Sequence, residues 1–515
     1  MVKRSGGELL FAISIDRASQ RSVTSQVYNA VKQLIVSGDL AAGKRLPSSR
    51  TFAAELKISR TTAIAVFERL VSEGLVVSRT GSGSFVSEAA EARRPNARLV
   101  VDAERPATTK LADLIAEASP KFFQRLTHPA KPRAFITGLP DYDAFPLAVW
   151  SRLSAKHWSE ARDTVMGYSD PDGLPSLRQA IAGHLRGSRG IACEAGQIFI
   201  VNGAQQAFDL IGRVLLNRGD RVWFENPGAI GARNSFIACG AAMAPVPVDA
   251  EGLSVEAGLR LAPDFRLAFV TPAHQHPTGA EMSLERRAHL LSVANERDAW
   301  IVEDDYDGEF RYDGRPLPTL KSADQAERVI YVGTFSKAMF PSLRLGFYVA
   351  PQPLVPVFRR ISGAFLHGVP SSIQAVTAAF ITEGHFATHL RRMRDIYRER
   401  HEVFHDEAGK RLGGLLDVAR SAAGFHVVGR FVDPRHQEDA VEEGAAKAGL
   451  TVSTLGRFCI EPIAEKGLVL GVSAIAPRAI RKGVEDLARV LENTRGSSPA
   501  TVPAPMTTKS NRSIP

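Results

Sequence analysis

Residues 329–346, VIYVGTFSKAMFPSLRLG, join a predicted buried strand to a lysine and an arginine. The apolar run Val329–Val332 predicts the strand, and small hydroxyl residues then lead to Lys337. Arg344 follows seven residues after this lysine, between two leucines. Burial disfavours the charged form of a lysine, and a neutral amine can attack a carbonyl group. An arginine close by can hold a phosphate through a two-pronged fork of N–H groups.

A lysine that forms a Schiff base beside a phosphate site is what pyridoxal 5'-phosphate requires of a protein. For this stretch alone, a solvated lysine in a loop after a strand is the commoner arrangement. The choice between these interpretations depends on the residues that follow the other strands of the chain.

Apolar runs alternate with helical patterns through most of the remaining sequence. The predicted strands are Ile198–Val201, Arg221–Phe224, Ala244–Val248, Leu267–Val270, Trp300–Val302 and Val329–Val332, and the predicted helices include Ala204–Leu216, Leu284–Arg297 and Pro370–Ile381. This alternation predicts a mainly parallel sheet with helices on both faces. Ligands of such sheets bind at the carboxyl ends of the strands.

Polar residues follow three of these strands. Asn202–Gln206 opens a helix with small residues, so its backbone N–H groups can approach an anion, although tight packing also favours glycine there. His274 and His276 could indicate a metal, but no third ligand is evident, and polar loop contacts are the preferred interpretation. Glu303–Asp307 holds four carboxylates in five residues. Unless this segment is exposed, a divalent metal or a protonated heterocycle must offset at least one buried charge.

The first ninety residues carry more than half of the excess positive charge. The whole chain has a net charge of +9, and residues 1–90 hold 12 basic and 7 acidic side chains, a net +5. This asymmetry favours a polyanion as partner. Helices are predicted at Val23–Val36, from Ser48 or Ser49 to Leu56, and at Arg60–Glu73, followed by a hairpin with a glycine-rich tip. The order predicts a winged helix-turn-helix, with a three-helix interaction module as the alternative.

In a winged helix-turn-helix, the first turn of the third helix meets base edges in the major groove. This turn holds Ser59, Arg60 and Thr61, whose short polar and basic side chains suit base contacts. Arg50 and the wing residues Arg79 and Gly81 are placed to reach phosphates or the minor groove. The segment resembles the DNA-binding domain of GntR-type regulators over about residues 20–87, on the motifs at 38–50, 58–62 and 73–86. Double-stranded DNA is therefore the predicted macromolecular partner.

The strand-end motifs together resemble the aminotransferase class I fold, fold type I of the pyridoxal-phosphate enzymes. They are Tyr168–Arg178, Gly203–Ala207, Glu225–Gly228, Thr271–Gly279, Glu303–Phe310 and Gly333–Gly346. With the N-terminal segment included, the chain resembles a MocR-type regulator of the GntR family over about residues 20–490. This resemblance implies a winged-helix domain, an α/β domain with a mainly parallel sheet and helices on both faces, and a smaller C-terminal α+β subdomain.

The resemblance also implies roles for single residues toward pyridoxal 5'-phosphate. Lys337 would form the internal aldimine, Asp304 would pair with the pyridinium nitrogen, and Tyr306 would contact the ring oxygen. The phosphate contacts would come from Ala204, Gln205, Thr334 and Arg344. Tyr168 would reach the phosphate of the other subunit, which implies a homodimer.

Three positions depart from the aminotransferase pattern. His276 stands where aminotransferases usually have asparagine, so the contact to the ring oxygen is altered. Ala229 stands where an aromatic residue often lies near the ring. Val469 stands where an arginine usually binds the substrate carboxylate, and Arg233 is a candidate replacement.

The predicted domains are the winged helix at 20–87, a semi-flexible linker at 88–130, the aminotransferase-like domain at 131–495 and a disordered tail at 496–515. Cys193, Cys239 and Cys459 lie far apart, so neither a disulfide framework nor a zinc site is predicted. No apolar run reaches membrane-spanning length, and no secretory signal is evident. A cytoplasmic protein without membrane attachment or bound metal is expected.

These features predict a transcription regulator that binds pyridoxal 5'-phosphate through a lysine Schiff base. It would sense the cofactor, or an amine or amino-acid effector, by aldimine exchange, with little or no turnover. The alternatives are an active aminotransferase with an accessory DNA-binding domain, and a DNA-binding dimer whose pocket no longer holds the cofactor. Val469 disfavours the first alternative, and the intact Lys337, Asp304 and Arg344 disfavour the second. The effector, the operator and the direction of regulation do not follow from the sequence.

Overall fold

The computed structural model describes residues 13–90, 111–123, 131–160, 162–314, 317–366 and 368–495. The chain divides into two compact units, Met1–Lys110 and Leu111–Pro515. The predicted tail at 496–515 lies outside the described residues, as do residues 91–110 and 124–130 of the predicted linker.

Three helices and a hairpin form the first unit. They are α1 (Val23–Ser37), α2 (Ser49–Glu55), α3 (Arg60–Ser72), β1 (Val76–Arg79) and β2 (Gly83–Val86), with the two strands antiparallel. The side chains of Ser22, Ser48 and Ser59 cap the three helices by accepting a backbone hydrogen bond from the first turn. The apolar helix faces meet in a core that includes Val27 and Phe52. The winged helix-turn-helix predicted from the sequence is confirmed.

The described part of the second unit has fifteen α-helices around its sheets. They are α4 (Asp113–Ala118), α5 (Leu147–Glu160), α6 (Arg162–Met166), α7 (Pro175–Arg189), α8 (Ala204–Leu215), α9 (Ile230–Ala238), α10 (Val255–Leu261), α11 (Leu284–Glu296), α12 (Leu320–Ala323), α13 (Phe335–Ala338), α14 (Val355–Phe365), α15 (Ser371–Thr382), α16 (His385–Arg411), α17 (Glu438–Lys447) and α18 (Pro477–Thr494). Ile198 and Ile200 belong to one core cluster, whereas Phe199 and Val201 belong to another, as expected for a sheet buried on both faces. Among the described residues, no helix is both long enough and apolar enough to span a bilayer.

The large sheet has eight strands in the order β3-β10-β9-β8-β7-β4-β5-β6. The strands are β3 (Ile198–Val201), β4 (Arg221–Asn226), β5 (Ala242–Asp249), β6 (Gly252–Leu253), β7 (Leu267–Val270), β8 (Trp300–Asp305), β9 (Val329–Thr334) and β10 (Gly346–Val349). The pairs among β5, β4, β7, β8 and β9 are parallel. The predicted mainly parallel sheet is therefore confirmed, and the six predicted strands are all present.

Strand β10 was not predicted from the sequence. It pairs antiparallel with both β3 and β9 and joins them. The alternation of strands and crossover helices indicates parallel strands, and β10 follows the lysine loop without such a crossover. Its position matters for the site, because a Cβ atom on Gly346 would lie 3.0 Å from Gly203 Cα. Only a glycine therefore lets this strand approach the turn that opens α8.

A second, antiparallel sheet forms the smaller C-terminal part of the unit. Its strands are β11 (Leu416–Val418), β12 (His426–Phe431), β13 (Ser453–Thr454) and β14 (Gly467–Gly471), in the order β11-β12-β14-β13. Leu468 and Leu470 of β14 pack with Val484 and Leu487 of α18 in one core. This is the α+β subdomain that the sequence predicted.

Residues 111–123 belong to the second unit, although the sequence placed them in the linker. Asn234 on α9 accepts a hydrogen bond from Phe123 N at 3.2 Å and donates one to Phe123 O at 2.8 Å. Ala118 on α4 is buried. The segment is therefore packed against α9, and the predicted domain limits, including the linker at 88–130, stay predictions.

Candidate functional site

A cavity of about 470 Å³ lies at the carboxyl ends of the central strands of the large sheet. Eight of the nine predicted cofactor residues line it: Ala204, Gln205, His276, Asp304, Tyr306, Thr334, Lys337 and Arg344. The ninth, Tyr168, lies elsewhere and is 95% exposed. Its predicted contact with a second subunit stays a prediction.

Lys337 enters the cavity from the short helix α13, whose neighbouring residues Phe335 and Ala338 are buried. Its Nζ donates a hydrogen bond to Gly138 O at 2.5 Å. A Cβ atom on Gly138 would lie 2.6 Å from Nζ, so a larger residue there would displace the amine from this position. Thr334 caps α13 by accepting a hydrogen bond from Ser336 N at 3.2 Å. The helix thus holds the lysine at the end of β9.

The N-terminus of α8 and the Arg344 guanidinium meet at one side of the cavity. Arg344 Nη2 donates to Asn202 O at 3.2 Å, and the same guanidinium lies about 3.7 Å from where a Cβ on Gly203 would stand. None of the described side chains caps α8. A helix N-terminus beside an arginine is an anion site. The Gln205 amide, however, donates to Gly231 O at 2.8 Å and to Ser235 Oγ, so its side chain is engaged with α9.

The carboxylates of Glu303–Asp307 turn to different partners, and three of them are compensated within the described residues. Glu303 accepts hydrogen bonds from the backbone N–H groups of Leu320 and Lys321 at 2.9 and 2.8 Å. Asp305 accepts one from Tyr331 Oη at 2.6 Å and pairs with Arg189 Nε at 2.9 Å. Asp307 pairs with His274 Nδ1 at 2.9 Å. The sequence predicted a divalent metal or a protonated heterocycle for this segment unless it is exposed. For Asp305 the cation is instead Arg189, a residue of α7 that lies more than a hundred residues earlier.

Asp304 is different, because its Oδ1 makes no hydrogen bond to any described residue although it is buried. The side chain lies on the cavity wall and is 7% exposed. Burial, and then the charge of Asp305, raise the pKa of Asp304 well above its ordinary value. An unpaired buried carboxylate needs a donor, and preferably a cationic one. The residue therefore fits the protonated ring nitrogen of pyridoxal 5'-phosphate.

Histidines surround the position where the ring oxygen of the cofactor is expected. Tyr306 Oη lies 3.0 Å from His274 Nδ1, which is also bonded to Asp307. His276 is partly buried, and desolvation, followed by the nearby His426, lowers its pKa well below 6.5. His276 is therefore neutral at physiological pH.

His426 is a site residue that the sequence did not indicate. It comes from β12, about 150 residues after His276, and no local motif marks it. Donor atoms of His274, Asp307 and His426 lie within 4.8 Å of one another, close enough to hold a metal ion. Hydrogen bonds nevertheless account for His274 Nδ1 with Asp307 and for His426 Nε2 with Pro277 O at 2.9 Å. The polar-contact interpretation of this loop is therefore the better supported one.

The position of the usual carboxylate-binding arginine is apolar. Val469 is fully buried on β14 and clusters with Val428, Leu455 and Phe458. Phe458 lines the cavity and packs edge-on against His276, with ring centroids 5.1 Å apart. An aromatic side chain thus lines the cavity, although Ala229 stands where the aminotransferase pattern has one.

Arg233 is not the replacement for that arginine. Its Nη1 donates to Cys459 O at 3.0 Å, and its Cζ lies 4.0 Å from the centre of the Phe123 ring. It lines a different cavity, so this prediction was wrong. The sequence could not show which way α9 turns its side chains. Arg457, in the turn Gly456–Phe458, does line the site and was missed, because no motif surrounds it.

The predicted DNA contacts lie on the surface of the first unit. Six positions are exposed: Arg50, Ser59, Arg60, Thr61, Arg79 and Gly81. Ser59 Oγ accepts from Thr62 N at 3.0 Å, so this residue also caps the helix. Gly81 has a φ of 77°, a left-handed conformation that favours glycine at the tip of the wing.

Comparison with known proteins matches both units. Residues 137–460 match aminotransferase class I and II, and residues 23–86 match the bacterial regulatory proteins of the gntR family. The chain is 40% identical over 483 residues to the probable rhizopine catabolism regulatory protein MocR of Rhizobium meliloti, covering 92% of this chain and 94% of that protein. It is 32% identical over 480 residues to the HTH-type transcriptional regulator TauR of Rhodobacter capsulatus, covering 92% and 97%. The α-aminoadipate aminotransferase LysN of Thermus thermophilus, complexed with N-(5'-phosphopyridoxyl)-L-leucine, has a TM-score of 0.65 at 26% identity, covering 75% of this chain and 95% of that one.

The two regulators are similar across both units, because the matches span more than nine-tenths of each chain. The solved aminotransferase matches three-quarters of this chain. The chain therefore belongs to the MocR-type transcription regulators of the GntR family, in which a winged-helix domain is joined to an aminotransferase-like domain.

Proposed function

We propose that this regulator binds pyridoxal 5'-phosphate covalently through Lys337, and that an amine effector alters its DNA binding by competing for that bond. The observation that carries the proposal is Asp304. Its buried, unpaired Oδ1 lies on the wall of the same cavity as Lys337. A carboxylate in that position stabilises a protonated ring nitrogen and is otherwise costly to bury.

The other residues divide the remaining contacts. The first turn of α8, Thr334 and Arg344 would hold the phosphate, and Tyr306 and His276 would face the ring oxygen. When bound, the cofactor supplies an aldehyde carbon that a primary amine can attack and a ring that accepts electrons. Gly138 O, already bonded to Lys337 Nζ, orients the amine in the free site.

Effector exchange involves one bond formed and one bond broken. An effector amine would take the place of Lys337 on the cofactor carbon, and Lys337 Nζ would then be a free amine held beside Gly138 O. A difference in the position of the Lys337 side chain between these two states can shift a conformational equilibrium. DNA binding by a homodimer would report the shift. The name of the Rhizobium meliloti relative favours a catabolic gene as the target.

Binding to a DNA site selected from a random pool by the full-length protein tests the proposal. The affinity is measured with pyridoxal 5'-phosphate alone and with added primary amines. Amines are expected to change the affinity of the wild-type protein, whereas Lys337→Ala should bind DNA and not respond. An equal response of both proteins would refute aldehyde exchange as the sensing step.

Arg60→Ala is expected to weaken binding to the selected site by roughly 1–3 kcal/mol, because Arg60 is exposed at the start of the recognition helix. Electrophoretic mobility shifts at constant salt measure the change. Arg21→Ala removes an exposed arginine of the same unit that is not a predicted contact, and it should have little effect. Equal losses in the two variants would mean that Arg60 acts only through net charge.

The second candidate function, a working aminotransferase, is disfavoured by the apolar surroundings of Val469. Without a guanidinium there, keto-acid release from common α-amino acids is expected to be at least about a hundredfold slower than in an aminotransferase of this fold. Single-turnover absorbance of the cofactor-loaded protein measures it. Alanine and ethylamine form a matched pair of primary amines, with and without a carboxylate. Both should replace Lys337 on the cofactor at similar rates. Rapid keto-acid release from alanine would favour the enzyme.

A further inference from the structure

A second cavity, of about 400 Å³, lies in the aminotransferase-like unit apart from the one that holds Lys337. Its walls are α4 with the residues that follow it on one side, and α9 on the other. Leu114, Lys121, Phe123, Arg218, Arg233 and Ile237 are among the lining residues.

Arg233 is the unusual residue of this cavity, because it is only 1% exposed and is incompletely bonded. Its Nη1 donates to Cys459 O, and one face of the guanidinium is covered by Phe123. Nε and Nη2 make no hydrogen bond to any described residue. These two atoms form one edge of the guanidinium, and their N–H bonds are parallel. That edge is the fork which binds a carboxylate or a phosphate with two hydrogen bonds.

The charges around the cavity also favour an anion. Burial lowers the pKa of Arg233 only to about 10, so the side chain stays charged at neutral pH. Lys121 and Arg218 add two further cations to the lining. Glu117 is the one acidic residue among the described lining residues, and it is paired with Arg218. A buried, uncompensated guanidinium is costly unless an anion or other acceptors reach it.

This cavity shares its walls with the candidate cofactor site. On α9, Ile230 and Ala232 line the site, whereas Arg233 lines the second cavity. In the segment that precedes β14, Phe458 lines the candidate cofactor site and Ile460 lines the second cavity. A ligand in either cavity therefore contacts elements that also form the other.

We propose that the second cavity is a binding site for a small carboxylate or phosphate anion, held by the Nε–Nη2 edge of Arg233. The bound anion stabilises the docking of residues 111–123 on α9. These residues precede the aminotransferase-like domain in the chain and lie closest in sequence to the winged-helix unit. The anion site does not depend on pyridoxal 5'-phosphate, and it gives the regulator a second input.

Calorimetric titration of the full-length protein, at constant ionic strength, tests the site with inorganic phosphate and with acetate as separate probes. The titrations use the Arg344→Ala background, because Arg344 belongs to the other cavity and can itself bind an anion, and this protein should bind one of the two probes. Arg233→Gln should weaken that binding about tenfold or more, because it removes a charge-assisted pair of hydrogen bonds. Binding of phosphate alone indicates a phosphate ester as ligand, and binding of acetate alone indicates a carboxylate.

Hydrogen exchange of residues 111–123 supplies the second readout, with slower exchange expected when the probe is bound. Arg233 is buried, so Lys121→Glu at the exposed rim serves as a variant that should fold normally and also weaken binding. Arg213→Glu, on α8 and outside the cavity, changes the net charge by the same amount and is the matched control. Failure of both probes to bind the Arg344→Ala protein, or equal affinity of that protein with and without Lys121→Glu, would overturn the proposal.

Discussion

Lys337→Ala is expected to abolish the long-wavelength absorption that the wild-type protein gains on reconstitution with pyridoxal 5'-phosphate. The band requires a C=N bond to the ring, and Lys337 is the lysine that lines the cavity within the described residues. The other residues that line the cavity in the described part of the chain carry no primary amine, so none of them can form this bond in its place. The expected loss is complete rather than partial.

Absorbance after gel filtration measures this result, since the filtration removes cofactor that is not covalently or tightly held. Lys156→Ala is the matched control, because Lys156 is an exposed lysine on α5 that could form only an adventitious imine. It should leave the band unchanged. A wild type that gains no band after reconstitution, or a Lys337→Ala variant that keeps it, would contradict the proposed attachment.

The sequence located the site well because its motifs are local and follow consecutive strands. In a parallel sheet the carboxyl ends of neighbouring strands lie at one edge. Topology alone therefore brings together the residues that follow these strands, which are Asn202 to Ala204, Asp304, Thr334 and Lys337. The prediction of a mainly parallel sheet was sufficient to place them at one edge of that sheet.

Residues without a local motif could not be predicted in the same way. His426 and Arg457 come from the small antiparallel sheet and its connections, and their approach depends on how that subdomain packs. The prediction for Arg233 was wrong for a related reason. The sequence placed it near the site on α9 but did not fix the rotation of the helix, which turns Arg233 toward Phe123.

The acidic segment Glu303–Asp307 shows the same limit most clearly. Alternation along a strand places Asp304 and Asp305 on opposite faces of the sheet. One carboxylate therefore reaches the cavity while the next reaches Arg189. The sequence indicated that a cation was needed but could not show that Arg189 neutralises Asp305 while Asp304 keeps no charged partner among the described residues.

Arg189→Met is expected to destabilise the protein by about 3–5 kcal/mol, because it leaves a buried charge without its partner. Arg189 is 9% exposed in its side chain and bonds Asp305, whose side chain is 3% exposed. Its charge also acts on Glu309, 3.8 Å away. The free energy of unfolding in urea measures the effect. Arg186→Met, one turn earlier on α7 and exposed, should cost less than about 0.5 kcal/mol.

Two further measurements distinguish the loss of charge compensation from the loss of packing. Adding Asp305→Asn to Arg189→Met should recover part of the stability, because the uncompensated charge is then removed as well.

The second measurement is the pH dependence of the stability difference. Burial opposes ionisation of Glu309, but Arg189 and His184 outweigh it and lower the pKa of Glu309 from 4.5 to about 2. A lowered carboxyl pKa stabilises the fold above its unfolded-state value, and this contribution disappears as the pH falls toward the folded-state value. The difference in stability between wild type and Arg189→Met should therefore narrow as the pH falls from about 4.5 toward 2, and a difference that stays constant over this range would assign the effect to packing.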